Sequence, residues 1–143
     1  MKRLLISLAV ALCSVAHSQT EPSDALQRLS SVKIFAFGGT GFAGRTSQGE
    51  KDFRIIVSQP RQVALENFEA IYNHGTPEAK SYALAGIRKI DAQRFKALLQ
   101  SSHSSKEKVH TMEGCIVEDR AFIEVAKTID SGSYDTWLNS NRP

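Results

Sequence analysis

Apolar residues recur every three to four positions through most of residues 47–99, and this spacing predicts four consecutive helices. The motif Ser47-x-x-Glu50 has the form of a capping box. Thr76-Pro77 places a capping hydroxyl directly before a proline at the first helical position, and Gly75 ends the preceding helix. The four predicted helices begin near Ser47, Pro60, Thr76 and Asp91.

The segments on either side of this block predict smaller elements. Residues 32–37 are apolar except for Lys33 and are followed by glycines, which predicts a strand. Residues 108–117 contain a second candidate strand that could pair with the first. Short helices are predicted over residues 19–31 and, starting near Arg120, up to Gly132, and an aromatic turn follows over residues 134–138.

The predicted connections between helices are two to three residues long, so neighbouring helices must pack antiparallel. We therefore predict a mainly α fold for residues 19–143. It is a single small domain of antiparallel helical hairpins with a possible minor two-stranded β element.

Residues 60–99 carry a pattern of small residues inside paired helices. Pro77-Glu78-Ala79-Lys80 opens a helix that contains Ala83, Ala85 and Gly86, and Ile90-Asp91 leads into the next helix. This pattern resembles HEAT-type helical repeats, and the resemblance implies a protein-binding surface without catalysis. A small helical bundle with alanine-rich packing is the alternative architecture, because a repeat array needs at least about three units and at most two are present.

The first residues have the three-part pattern of a secretory signal peptide. Lys2 and Arg3 precede an apolar run up to Val15, and Ala16-His17-Ser18 places small residues at a cleavage site before Gln19. The run is shorter than the roughly 20 residues that span a bilayer. We therefore expect residues 1–18 to be removed, the product to be secreted or periplasmic, and the mature chain to lack a membrane span.

Charge and cysteine content narrow the possible functions. Cleavage would remove Lys2 and Arg3, which lowers the formal net charge of +3 by two, and no Lys/Arg-rich stripe remains, so nucleic acid is not an expected partner. Cys13 would leave with the signal peptide. Cys115 would then be the mature chain's sole cysteine, and an intramolecular disulfide is excluded.

Residues 38–44 read GGTGFAG and follow the predicted strand. The motif resembles the glycine-rich loop of the NAD(P)-binding extended short-chain dehydrogenases, which implies a dinucleotide phosphate site. The flanking sequence lacks an apolar crossover helix after the loop and an acidic residue at the end of a second strand. We therefore predict no cofactor. Two roles for the loop remain: a structural turn with positive φ angles, or a binding loop that presents Phe42 and Arg45 to a partner.

The remaining candidates for catalysis and metal binding are the cysteine, the histidines and a carboxylate pair. Cys115 and His110 could form a nucleophile and base, but their spacing does not enforce contact, and the apolar residues after Cys115 favour a buried structural thiol. Neither the histidines nor the pair Glu118-Asp119 shows metal-ligand or acid/base spacing, so no metal site is predicted.

These features favour an exported, non-enzymatic protein-binding module, such as an adaptor, an inhibitor or an immunity-type envelope protein, whose partner is another protein. The alternative is a small exported enzyme that uses residues 38–44 as an anion or oxyanion site with His110 and Cys115.

Overall fold

The computed structural model describes residues 20–139, which form a mainly helical fold with a minor β component, as predicted. The β component consists of two small two-stranded antiparallel sheets. The predicted signal peptide, residues 1–18, lies outside the described residues. The elements in chain order are α1 (Thr20–Ser30), β1 (Gly39–Thr40), β2 (Arg45–Thr46), α2 (Gln48–Val57), α3 (Arg61–His74), α4 (Pro77–Ile90), α5 (Ala92–Ser101), a 3-10 turn (Ser102–Ser104), β3 (Lys108–Glu113), β4 (Ile116–Ala121), α6 (Phe122–Asp130) and α7 (Asp135–Leu138).

The predicted helix starts are confirmed at three side-chain caps. Ser47 accepts a hydrogen bond from the Glu50 amide, Thr76 from the Ala79 amide, and Asp91 from the Arg94 amide. Each cap satisfies a backbone N–H that the helix itself leaves without a partner.

Helix α4 lies at the centre of the fold and packs against α3, α5 and α6. Nearly every side chain from Glu78 to Ile87 is buried. Two residues separate α3 from α4, so the two helices form an antiparallel hairpin. Their approach is close: a Cβ atom added to Gly86 would lie 2.4 Å from the ring of Phe68.

The predicted strand over residues 32–37 is largely wrong. Its one β-bridge joins Phe35 to Thr111 in β3, supported by hydrogen bonds between Phe35 and the backbone of His110 and Met112. At the next residue, Ala36, the backbone forms hydrogen bonds with side chains instead of with a neighbouring strand. The Tyr82 hydroxyl donates to the Ala36 carbonyl at 2.7 Å and accepts from the Ala36 amide at 3.0 Å.

The second candidate strand is half of a hairpin that was not predicted. Strands β3 and β4 pair antiparallel from Lys108↔Ala121 to Glu113↔Ile116, with Gly114 and Cys115 as a two-residue turn. Gly114 has φ +58°, the conformation that Gly-X hairpin turns use at their first position. Arg120 therefore lies in a strand rather than at the start of a helix, and α6 begins at Phe122.

No helix within residues 20–139 is long and apolar enough to cross a membrane.

Candidate binding surface and cleft

The glycine-rich loop and the turn of the β3–β4 hairpin meet at one end of the molecule. Residues 41–44 form the turn between β1 and β2. The Gly41 amide donates to the Gly114 carbonyl at 2.8 Å, and Thr40 forms a β-bridge with Gly114. The prediction of positive φ angles in the loop is confirmed, with Gly38 at +86°, Gly41 at +68° and Gly44 at +57°.

The base of the glycine-rich loop is held by the N-terminus of α2. The buried carboxylate of Glu50 accepts from the Gly38 amide at 2.8 Å and from Arg54 at 2.6 Å. The Ser47 hydroxyl, which caps α2, also donates to the Ala36 carbonyl at 3.0 Å. The two residues of the predicted capping box therefore divide their roles: Ser47 caps α2, and Glu50 binds the loop amide.

Apolar side chains are exposed on both joined turns. Phe42 is fully exposed at the tip of its loop, and Ile116 and Val117, at 64% and 56% exposure, follow the other turn. The exposed large apolar side chains among residues 20–139 are Ile34, Phe42, Val63, Ile116 and Val117. Phe42 lies on one of the two joined turns, and Ile116 and Val117 are the first residues of β4 after the other turn, on opposite faces of the hairpin. We call Phe42, Cys115, Ile116 and Val117 the turn surface.

Arg45, the second predicted partner-binding residue, lies in β2 directly after the Phe42 turn and is exposed. Its carbonyl accepts from the Thr40 hydroxyl at 2.8 Å, which fixes the backbone and leaves the guanidinium at the surface. The structure therefore places Phe42 and Arg45 on the same short hairpin, as the binding-loop hypothesis requires.

The prediction that Cys115 is buried is wrong, because Cys115 is exposed. The reason is the unforeseen hairpin: a two-residue turn directs its second residue to the end of the ribbon and away from the core. The apolar residues that follow, Ile116 and Val117, are exposed on β4 rather than packed beneath it.

His110 and Cys115 are not brought together. His110 is paired in register with Asp119, and its imidazole contacts the Asp119 carboxylate. Three strand positions separate His110 from Glu113, the last residue before the turn, which corresponds to roughly 10 Å. Direct proton transfer between the imidazole and the thiol requires a separation of about 3 Å.

A cleft of about 200 Å³ lies behind the turn surface, between the hairpin and the chain that leads from α6 to α7. Its lining is Phe35, Ala36, Phe37, Met112, Glu113, Arg120, Thr128, Ser133, Tyr134 and Trp137. A neighbouring depression of about 250 Å³ on the hairpin shares Glu113 and Arg120 with it. His110 and Asp119 project from the opposite face of the hairpin, because side chains alternate along a strand.

Two polar side chains of the cleft interact directly. Arg120 donates to the Thr128 hydroxyl at 2.9 Å and lies close to the phenol of Tyr134. Burial raises the pKa of Tyr134, and the nearby Arg120 charge opposes part of that rise. The phenol is therefore protonated near neutral pH and can donate a hydrogen bond into the cleft.

Sequence patterns did not predict the cleft, because its lining comes from five separate segments of the chain. The usable signal was the aromatic turn at Tyr134 and Trp137, whose side chains were expected to dock on the domain. Within the described residues, no group of three or more His, Cys, Asp or Glu side chains could hold a metal ion.

Comparison of the chain with protein-family models, with curated proteins and with solved structures finds no significant match. The resemblance of residues 60–99 to HEAT-type repeats therefore stays a prediction.

Proposed function

We propose that this chain is an exported, non-enzymatic protein-binding module whose contact region is the turn surface. One observation carries the proposal: exposed apolar side chains, Phe42 on one turn and Ile116 directly after the other, lie beside a backbone hydrogen bond that holds the two turns together. Covering a fully exposed phenylalanine with a partner is worth about 1.5–3 kcal/mol. A large apolar side chain at a loop tip is thus a plausible energetic anchor for binding.

Rigidity of the turns supports the same function. The loop is fixed at its base by Glu50 and at its tip by Gly114, so little conformational entropy is left to lose on binding. Arg45 adds a positive charge beside Phe42, and arginine is common among residues that dominate protein interfaces.

Export is part of the proposal. The signal peptide pattern at residues 1–18 supports a secreted or periplasmic protein whose partner is another protein in the cell envelope or outside it. An adaptor, an inhibitor or an immunity-type protein has these properties.

Two observations weigh against the enzyme alternative. An oxyanion site on the glycine-rich loop needs free amide donors, and the Gly41 amide is already bonded to Gly114. The imidazole of His110 contacts Asp119 on the face of the hairpin opposite the cleft, and roughly 10 Å of strand separates it from the turn that carries Cys115.

Site-specific photo-crosslinking in the native host tests the binding proposal. A photoreactive phenylalanine analogue is placed at Phe42, at Ile116 and, as a control, at Val63, which is exposed on α3. We expect Phe42 and Ile116 to crosslink to the same protein and Val63 not to. Identical products from all three positions, or none from Phe42 and Ile116, would refute the turn surface as the contact region.

A further inference from the structure

The cleft behind the turn surface contains an arginine without an ionic partner. Three arginines within residues 20–139 are half-buried, namely Arg54, Arg88 and Arg120. Arg54 is paired with Glu50 and Arg88 with Asp135. No carboxylate among the described residues forms an ion pair with Arg120, whose hydrogen-bonding partners are the neutral Thr128 and Tyr134.

The guanidinium of Arg120 has five N–H donors in a planar fork that matches a carboxylate geometrically. Thr128 accepts from one Arg120 nitrogen, so other donors remain for a ligand. The Tyr134 phenol lies next to Arg120 and supplies a further donor for the same oxygen atoms.

The rest of the cleft determines the shape of such an anion. Tyr134 and Trp137 line the cleft as partly exposed aromatic side chains, whereas Phe35 and Phe37 in its lining are almost fully buried. Its volume of about 200 Å³ is below the roughly 300–1,000 Å³ of sites for drug-sized ligands, so the occupant is small. Glu113, also in the wall, makes the cleft less favourable for a dianion than for a monoanion, because like charges repel.

We infer that this cleft binds a small organic monocarboxylate with an apolar or aromatic body, whose carboxylate is held by Arg120 and whose body lies against Trp137 and Tyr134. The ligand class has two possible sources: simple carboxylic acids, and free amino acids, whose ammonium group would meet Glu113. The inference is independent of the protein-binding function proposed for the turn surface.

Trp137 makes the site directly observable, because it is the sole tryptophan of the chain and lines the cleft. The probe is 3-phenylpropionate, titrated into the purified mature protein while Trp137 fluorescence is followed. We expect a saturable change and a rise in melting temperature. The neutral amide 3-phenylpropanamide, which has the same body, should bind at least about tenfold more weakly, since a hydrogen bond to a charged group is lost.

Protein variants identify the residue responsible. Arg120→Gln should weaken binding of 3-phenylpropionate about tenfold to a hundredfold, whereas the exposed Arg61→Gln should leave the affinity within about twofold. If Arg120→Gln fails to fold, Arg120→Lys, which retains the charge, is tested in its place. Comparison of L-phenylalanine with 3-phenylpropionate separates the sources: tighter binding of L-phenylalanine that is lost in Glu113→Gln assigns the site to amino acids. Tighter binding of 3-phenylpropionate assigns it to simple acids.

The proposal is overturned if 3-phenylpropionate produces no saturable change in Trp137 fluorescence at millimolar concentrations. It is also overturned if the carboxylate and its amide bind equally well, or if Arg61→Gln weakens binding as much as Arg120→Gln does.

Discussion

The backbone amide of Gly41 and the carbonyl of Gly114, 2.8 Å apart, join the turn of one β-hairpin to the turn of another. Both residues have positive φ angles, +68° and +58°. No side chain is needed for this contact, and the space around each missing Cβ is open. The two glycines are therefore required by their backbone conformation and not by crowding, and that conformation sets the position of Phe42.

Replacement of Gly41 by valine tests this requirement. A β-branched residue is strained at φ +68°, so we expect the free energy of unfolding to fall by about 1–3 kcal/mol. Urea denaturation measures the change. Ala43→Val is the matched control, because Ala43 is exposed in the same turn without a positive φ and should change stability by less than about 0.5 kcal/mol. Equal stability of the Gly41 and Ala43 variants would contradict the assigned role.

Gly86 is required for a different reason, the close contact of α3 with α4. Alanine in place of a helical glycine normally stabilises by about 1 kcal/mol. At Gly86 the added Cβ would lie 2.4 Å from the Phe68 ring, and overpacking of this kind costs about 1–3 kcal/mol. We expect Gly86→Ala to lower the melting temperature. The double variant with Phe68→Leu should lose less than the sum of the single changes, and strict additivity would argue against the contact.

Local signals predicted the helices correctly and failed for the hairpin. The caps at Ser47, Thr76 and Asp91 depend on residues three positions apart, so the sequence alone reveals them. In β4 the charged run Glu118-Asp119-Arg120 hides the alternation of a strand, because most of its side chains are exposed. The available clue was Gly114-Cys115, a Gly-X pair between two runs of similar length.

Local sequence patterns could not predict the contacts between residues that are far apart in the chain. The segment over residues 32–37 has the composition of a strand, yet Ala36 obtains its hydrogen bonds from Tyr82, far along the chain. The cleft depends on Arg120 of β4 meeting Tyr134 and Trp137 at the N-terminus of α7 and within it. Helical periodicity places Tyr82 beside the apolar stripe of α4, but it cannot indicate which backbone its hydroxyl reaches.

The buried Tyr82 hydroxyl predicts a specific dependence of stability on pH. Burial raises the pKa of Tyr82 to about 12, above its ordinary value of 10.0. Between these values the unfolded chain loses the phenolic proton and the folded chain retains it, so stability falls as pH rises from about 10 to about 12. The loss from this group is roughly 2–3 kcal/mol, and none of it occurs well below pH 10.

Tyr82→Phe isolates that contribution. At neutral pH the variant should be less stable by about 1–3 kcal/mol, because the Ala36 amide loses its partner in a buried position. The difference in free energy of unfolding between the original protein and Tyr82→Phe should then shrink as pH rises above 10, since the variant has no phenol at this position to ionise. Denaturation curves at a series of alkaline pH values measure it, and parallel stability profiles would contradict a buried, protonated Tyr82.

The signal peptide pattern predicts where the precursor is cleaved. Ala16-His17-Ser18 behind the short apolar run predicts that the exported protein begins at Gln19 or within a residue or two of it. N-terminal sequencing of protein recovered from the cell envelope or the medium tests this. Replacement of Ala16 by a large residue such as arginine should block cleavage and leave a longer product. Recovery of envelope material that still begins at Met1 would contradict the prediction.

Exposure of Cys115 changes what a thiol reagent should do to the folded protein. The sequence favoured a buried and slowly reacting thiol, whereas the hairpin turn predicts stoichiometric labelling without unfolding. We expect the native and urea-unfolded chains to react at rates within about tenfold of each other, because access to an exposed thiol does not depend on unfolding. Cys115→Ser should change stability by less than about 0.5 kcal/mol, as for other exposed positions.

The absolute rate of that labelling separates the two functional hypotheses. A thiol activated for catalysis reacts much faster than a free thiol such as glutathione, because a nearby base or cation increases its thiolate fraction. His110 contacts Asp119 and lies three strand positions, roughly 10 Å, from the end of the strand at the turn. We therefore expect Cys115 to react at a rate close to that of glutathione. His110→Ala should then leave the rate unchanged. A rate far above that of glutathione, reduced by His110→Ala, would favour the exported enzyme over the binding module.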